Sequence, residues 1–146
     1  MAKYLNTQDI SAGIVKLICE AREYLYLISP YLQLSACIKE RIKDIESEML
    51  KITFIFGKNG HPNSEKIEFL QKLKYAHIYY YKDLHAKCYL NEKEMIISSM
   101  NLYTLSQQNN VEMGVLIQKD GADKQVYDDA RQDIRSILKN AKTKRQ

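Results

Sequence analysis

The residues best equipped for chemistry lie between Leu84 and Asn101, LHAKCYLNEKEMIISSMN, where His85 and Lys87 stand two positions apart in an otherwise apolar run. Side chains alternate across a strand. Leu84, Ala86, Cys88 and Leu90 should therefore face a core, and His85, Lys87 and Tyr89 the opposite side. By the same rule Ser99 and Asn101 share a face on the returning strand. If the two polar faces coincide, an imidazole, an ammonium, a hydroxyl and a primary amide converge. Imidazole can attack or transfer a proton near neutral pH, while the ammonium and the amide hold anionic oxygens. That set suits a phosphodiester. A lysine withdrawn from water without an anion costs several kcal/mol, so Lys87 in a hairpin calls for an explanation. His61 and His77 carry no such companion and read as structural.

The elements that must position these groups alternate between helical and extended periods. Ile10, Ile14, Leu17, Ile18 and Ala21 lie on one helical face, with Asn6 or Thr7 as N-cap. Tyr24–Ile28 is a strand stopped by Ser29-Pro30. Cys37, Ile38, Ile42, Ile45 and Met49 mark a second helix, and Ile52–Phe56 a second strand, ended by the loop from Gly57 to Pro62. A helix around Ile67, Leu70 and Leu73, a strand over His77–Tyr81 and the hairpin follow. Val111–Ile117 reads as a further strand. A closing helix carries Val126, Tyr127, Ala130, Ile134, Ile137 and Leu138 on one face. This order predicts an α/β fold: a mixed, largely parallel sheet with helices on both faces. One domain is expected over 1–146, with a frayed basic tail from about Lys139.

Net charge is +4, from 22 Lys and Arg against 18 Asp and Glu, a mild excess compatible with a polyanionic partner. Cys19, Cys37 and Cys88 lack metal-type spacing and sit in apolar stretches, which predicts buried thiols in a reducing compartment. No apolar run approaches the ~18 residues a membrane span needs. The first residues hold Asn6, Thr7, Gln8 and Asp9 where a signal peptide needs an apolar segment, so a cytoplasmic location is expected.

The motif spacing also resembles a family. HAKCYLNE followed by SSMN is similar to the HxK(x4)D…GSxN signature of the phospholipase D-like superfamily, and NNVEMGVLI to the strand carrying its downstream acid. YLYLISPYL resembles that family's first core strand and exit loop. The resemblance implies a phospholipase D-like half-fold, with His85, Lys87, Asn101 and Glu112 as catalytic residues and Ser99, Lys87 and Asn101 contacting substrate. Two positions depart from the pattern: Glu92 stands in place of Asp and Ser98 in place of Gly, with one residue fewer between them. Pairing Lys87 with Ser99 and His85 with Asn101 leaves the loop Glu92-Lys93-Glu94, without the glycine such a loop wants. A distorted tip is expected, with Glu92 solvated and free of any catalytic role.

The implied mechanism is a phosphohistidine pathway needing no metal or other cofactor, in which one histidine attacks phosphorus and a second protonates the leaving oxygen. A carboxylate such as Glu112 would hold the imidazole in its useful tautomer. The chain has one motif, so the resemblance implies a homodimer that brings two copies of His85 together. Short single-motif relatives point to an endonuclease acting on DNA or RNA, and nothing in the sequence suggests a membrane-binding patch. The alternatives are a non-catalytic nucleic-acid-binding or assembly module and a phosphodiesterase for lipid head groups or small molecules.

Overall fold

The computed structural model of the chain describes residues 1–57, 65–102 and 110–143. The first strand, β1 (Lys3–Leu5), leads into α1 (Thr7–Glu20), β2 (Tyr24–Ile28), α2 (Ala36–Ile45) and β3 (Lys51–Phe56). Then come α3 (Glu65–Lys72), β4 (Ala76–Tyr80), β5 (Cys88–Asn91), β6 (Glu94–Ser98), β7 (Gly114–Gln118), α4 (Lys124–Asn140) and β8 (Lys142–Thr143).

Helix starts follow from local chemistry. Asn6 caps α1 by accepting from Asp9 N–H at 2.9 Å, and the Asp9 carboxylate returns to Asn6 N–H at 3.3 Å. Ser35 caps α2, its hydroxyl accepting from Ile38 N–H at 3.3 Å. α1 buries the stripe its periodicity marks, Ile10, Ile14, Leu17 and Ile18, while α2 buries Ile38 and Ile42 and α4 buries Tyr127 and Ile134; Met49, beyond the end of α2, and Val126 in α4 are exposed rather than on a buried face. Full burial of each such aliphatic side chain contributes about 1.5–3 kcal/mol.

The eight strands of the described residues form one sheet in the order β1-β7-β6-β5-β2-β3-β4-β8. The mixed sheet flanked on both faces is as the sequence predicts, but it is not largely parallel. Only β2–β3 and β3–β4 pair in parallel; the other five neighbours are antiparallel. Parallel pairing needs a crossover helix, which α2 and α3 supply, whereas the short connection from β5 to β6 can only reverse the chain. One apolar cluster joins α1, α2 and α3 to one face of the sheet. A second joins α4 to the other face, through Tyr26, Ile28, Cys88, Leu90 and Met95.

The hairpin register differs by one residue from the expected pairing. Cys88 lies opposite Ile97, Tyr89 opposite Ile96 and Leu90 opposite Met95, which leaves the two-residue connection Glu92-Lys93. Asn91 makes that turn workable. Its side-chain oxygen accepts from Lys93 N–H at 2.8 Å and Glu94 N–H at 3.0 Å, while its amide donates to Leu17 O at 2.9 Å. No non-glycine residue among those described has a positive φ, so the turn needs no glycine.

Two smaller expectations change, and a third falls outside the described residues. Cys88 is buried, but Cys19 is only half-buried and Cys37 is exposed on the outer side of α2. The basic end is not frayed as far as it is described: Lys139 is in α4, and Lys142 pairs with Tyr80. His61 and most of the loop from Gly57 to Pro62 lie outside the described residues.

Candidate active site

Strand register gathers the predicted residues at one end of the sheet. Two adjacent rows of paired positions mark that end: Leu5–Gly114–Ser98 and, one residue further in, Ile97–Cys88–Ile28–Ile55. The next residues outward are Lys87, Ser99 and Met113. Ser98 N–H reaches Lys87 O at 3.4 Å, and Ser99 N–H reaches Met113 O at 3.0 Å. His85, Asn101 and Glu112 follow within two residues of these.

Ser99 and Glu112 are joined directly. The Ser99 hydroxyl donates to Glu112 Oε1 at 2.7 Å and accepts from Met113 N–H at 3.1 Å. Glu112 is fixed from behind by Thr7, the first residue of α1, whose hydroxyl accepts from Glu112 N–H at 2.8 Å. His85 is exposed and Lys87 half-buried, with Lys87 Nζ 3.3 Å from His85 O. Asn101 is half-buried, and its Oδ1 is shielded from solvent without a hydrogen-bond partner among the described residues. No hydrogen bond links the His85 or Lys87 side chain to Ser99, Asn101 or Glu112 among the described residues; shared position at the sheet end is what relates them.

The predicted alternation holds where the hairpin is regular. Leu84, Cys88 and Leu90 join the α4-side cluster, and Tyr89 joins the α1–α3 side. Ala86, however, is exposed rather than in a core. Tyr89 is fully buried and donates to Met100 O at 2.6 Å, while Ser29 accepts from Leu102 N–H at 3.1 Å. Between them they tie down both ends of the segment that carries Asn101. Burial pushes the Tyr89 phenol far up; a hydrogen bond to Ser29 opposes this, and Cys88 and Glu112 add to it, so Tyr89 acts as a neutral donor. Burial likewise pushes the Cys88 thiol up to about 12, partly offset by Arg131, which leaves it inert as a nucleophile near neutral pH.

Thr7, Ser29 and Tyr89 went unassigned by sequence reasoning. Only Tyr89 carried a signal, through its place on the His85–Lys87 face.

The two departures from the motif each have a structural counterpart. Ser98 occupies the expected glycine position, and the glycine stands across the ladder instead. A Cβ on Gly114 would come within 2.8 Å of Ser98 Cβ and 3.1 Å of Ile10 Cδ1, so this crossing has room for one side chain only.

Glu92 is not at a solvated tip. It is 7% exposed, and its carboxylate accepts from Arg22 N–H at 3.1 and 3.2 Å, Glu23 N–H at 3.0 Å and Tyr24 N–H at 3.4 Å. Burial raises its pKa, but the backbone N–H groups of Glu23, Arg22, Glu92 itself and Tyr24 outweigh that and hold it below its ordinary value. Glu92 closes the turn from α1 into β2, far along the strand from His85.

A family model described as "Cardiolipin synthase, PLD-like domain" matches residues 14–138. NucT from Helicobacter pylori has a TM-score of 0.80 at 18% identity, covering 98% of this chain and 99% of that one. Nuc from Salmonella typhimurium, a phospholipase D family member, has a TM-score of 0.79 at 10% identity, covering 100% and 99%. Phosphatidylserine synthase from Haemophilus influenzae reaches 0.74 at 14% identity, covering 97% of this chain and 39% of that one. A search of curated protein sequences finds no match. The likeness to these structures is one of fold; with the family match over most of the sequence, the chain belongs to the phospholipase D-like family.

Proposed function

We propose that the protein is a metal-independent phosphodiesterase that cleaves DNA or RNA through a phosphohistidine intermediate at a homodimer interface. The observation that carries this reading is the arrival of His85, Lys87, Ser99, Asn101 and Glu112 at one end of the sheet. A histidine nitrogen attacks phosphorus in line, the P–N bond forms and the bond to the leaving oxygen breaks. The second protomer's copy of His85 gives that oxygen its proton, then takes one from the water that hydrolyses the P–N bond. Lys87 and the Asn101 amide hold the non-bridging oxygens as charge builds on them. Glu112 and Ser99 keep the pocket wall in place through the hydroxyl–carboxylate bond between them. The names of NucT and Nuc, the relatives of matching length, fit a nuclease.

The surface beside the site supports a dimer. α4 covers the sheet face over β2 and β5 but leaves Tyr4 and Ile97 exposed on a paired row that runs Tyr4–Val115–Ile97–Cys88, in which Val115 is partly buried against the α4-side cluster. Tyr4 is 59% exposed, Ile97 38% and the neighbouring Met113 62%. The patch is contiguous with an open, mainly apolar cleft of about 410 Å3 lined by Ala86, Cys88, Ile97, Ala130 and Ile134, with His85 and Lys87 at its edge. A second copy docked there about a two-fold axis buries the patch and brings the two sites together.

The test is cleavage of labelled single- and double-stranded DNA and RNA in EDTA by wild type and His85→Ala. Cleavage by wild type alone supports the reading. Equal cleavage by His85→Ala removes the nucleophile. Binding without cleavage by either protein would instead identify a non-catalytic module, and turnover of phospholipid head groups alone a lipid phosphodiesterase.

A further inference from the structure

On the outer side of α2 and α3, away from the site, Phe69 packs partly against the core and lines an open groove of about 500 Å3. Two ammoniums lie over that ring: Lys39 Nζ at 5.6 Å from the centroid and Lys43 Nζ at 5.7 Å. We infer that the groove of Lys39, Lys43 and Phe69 is an accessory track for single-stranded nucleic acid, with a base stacking on Phe69 and the lysines holding successive phosphates. This rests on the nucleic-acid reading proposed above and extends it to a second surface.

The two acids of the groove are engaged elsewhere. Glu46 spends its carboxylate on Lys74 N–H at 3.2 Å and Tyr75 N–H at 3.3 Å. Glu68 pairs with Lys72 at 3.6 Å. Neither Lys39 nor Lys43 forms an ion pair among the described residues. They are also like charges at i and i+4, an arrangement that works against the helix unless an anion lies between them. A ring with a cationic rim is the combination that takes up a base and its phosphates without regard to sequence.

The direction of the track fits the site. β2 ends in the row just inside the candidate residues, and β3 runs parallel to it, so α2 must run back away from that end. Lys39 and Lys43 therefore mark two steps leading away from the pocket, about 6 Å apart along the helix axis. A strand held at the pocket by one phosphate can lie along α2 and meet them in order.

The experiment measures fluorescence anisotropy of a labelled single-stranded 12-mer across a salt series, together with hydrolysis of bis(4-nitrophenyl) phosphate, which is too small to reach the groove. The proteins are wild type, Lys39→Gln/Lys43→Gln and Phe69→Leu, the last keeping an apolar side chain against the core. The lysine variant should bind roughly tenfold more weakly, with the slope of log K against log salt reduced by about 1.4. Phe69→Leu should bind about fivefold more weakly with the slope unchanged. Both should hydrolyse the small diester like wild type. Unchanged affinity and slope in the lysine variant, or a wild type that does not bind the 12-mer, overturns the track. Binding that depends on these residues in a protein that hydrolyses no diester would keep the track and overturn the catalytic reading instead.

Discussion

Ser99 and Glu112, thirteen residues apart in sequence, are locked together by a 2.7 Å hydrogen bond between hydroxyl and carboxylate at the rim of the candidate site. Each is held further: the Ser99 hydroxyl accepts from Met113 N–H, and Glu112 N–H donates to the Thr7 hydroxyl. Glu112→Gln preserves the shape and leaves an amide oxygen for Ser99 to address, but removes the negative charge. Turnover of a diester should fall roughly 10- to 100-fold, a part of what positioned proton transfer contributes. The melting temperature should stay close to that of wild type. Full activity in Glu112→Gln would show that the carboxylate only braces the wall.

Glu92 gives the opposite pattern. Replacing it by Gln weakens charge-assisted bonds to the N–H groups of Arg22, Glu23 and Tyr24, at a cost of about 1–3 kcal/mol. The melting temperature should drop by roughly 2–10 °C, while the turnover of folded enzyme barely changes. The pH dependence has a definite sign. Because the folded pKa lies below the ordinary 4.5, the contribution is present above that value and is lost as pH falls through the folded pKa. Melting curves of both proteins at pH 7 and pH 3 should show the gap closing at the acid end. A gap that is constant or wider at pH 3 would contradict this anchoring role.

Much of this architecture was legible because it is set locally. The stripes of α1, α2 and α4, and the crossovers joining β2, β3 and β4, follow from periodicity over a dozen residues. The hairpin register was not legible in that way. It depends on the Asn91 side chain turning back onto Lys93 and Glu94 while its amide reaches α1, a contact 74 residues away in sequence. β1 and β8 are too short to show a period and exist because an edge was open to them. Glu92 looked like a tip residue for the same reason: its partners come from the turn between α1 and β2, which no spacing rule connects to the motif.

Gly57 offers a way to disturb His85 without touching it. A Cβ there would lie 2.9 Å from Tyr81 O, 3.0 Å from Leu84 Cβ and 3.2 Å from Leu84 O, and two of these neighbours are backbone that cannot swing aside. Gly57→Ala should therefore push the segment from Tyr81 to Leu84 outward and carry His85 with it. Misplacement on the order of 1 Å costs about 100-fold in rate, so kcat should suffer far more than stability. Hydrolysis of a small diester by Gly57→Ala at wild-type rate would show that the segment gives way without moving His85.

The dimer can be tested by arithmetic. If each site needs two copies of His85, mixing wild type with excess His85→Ala should inhibit beyond dilution. At one part to three, random pairing leaves about a quarter of the wild-type chains in wild-type pairs, so activity per wild-type chain should fall to about a quarter. Inactive His85→Ala and Lys87→Ala chains should not rescue one another, because every mixed site still lacks one of each group. Ile97→Glu attacks the same dimer from its surface: Ile97 is already 38% exposed, so the monomer should keep its fold. A carboxylate in the centre of the apolar patch leaves a charge that docking would have to bury unpaired. Ile97→Glu should sediment as a monomer and lose activity together with its partner chain. A monomer that still cleaves, or mixing that follows simple dilution, would mean that one chain completes the site alone and that the proton to the leaving oxygen comes from somewhere other than a second His85.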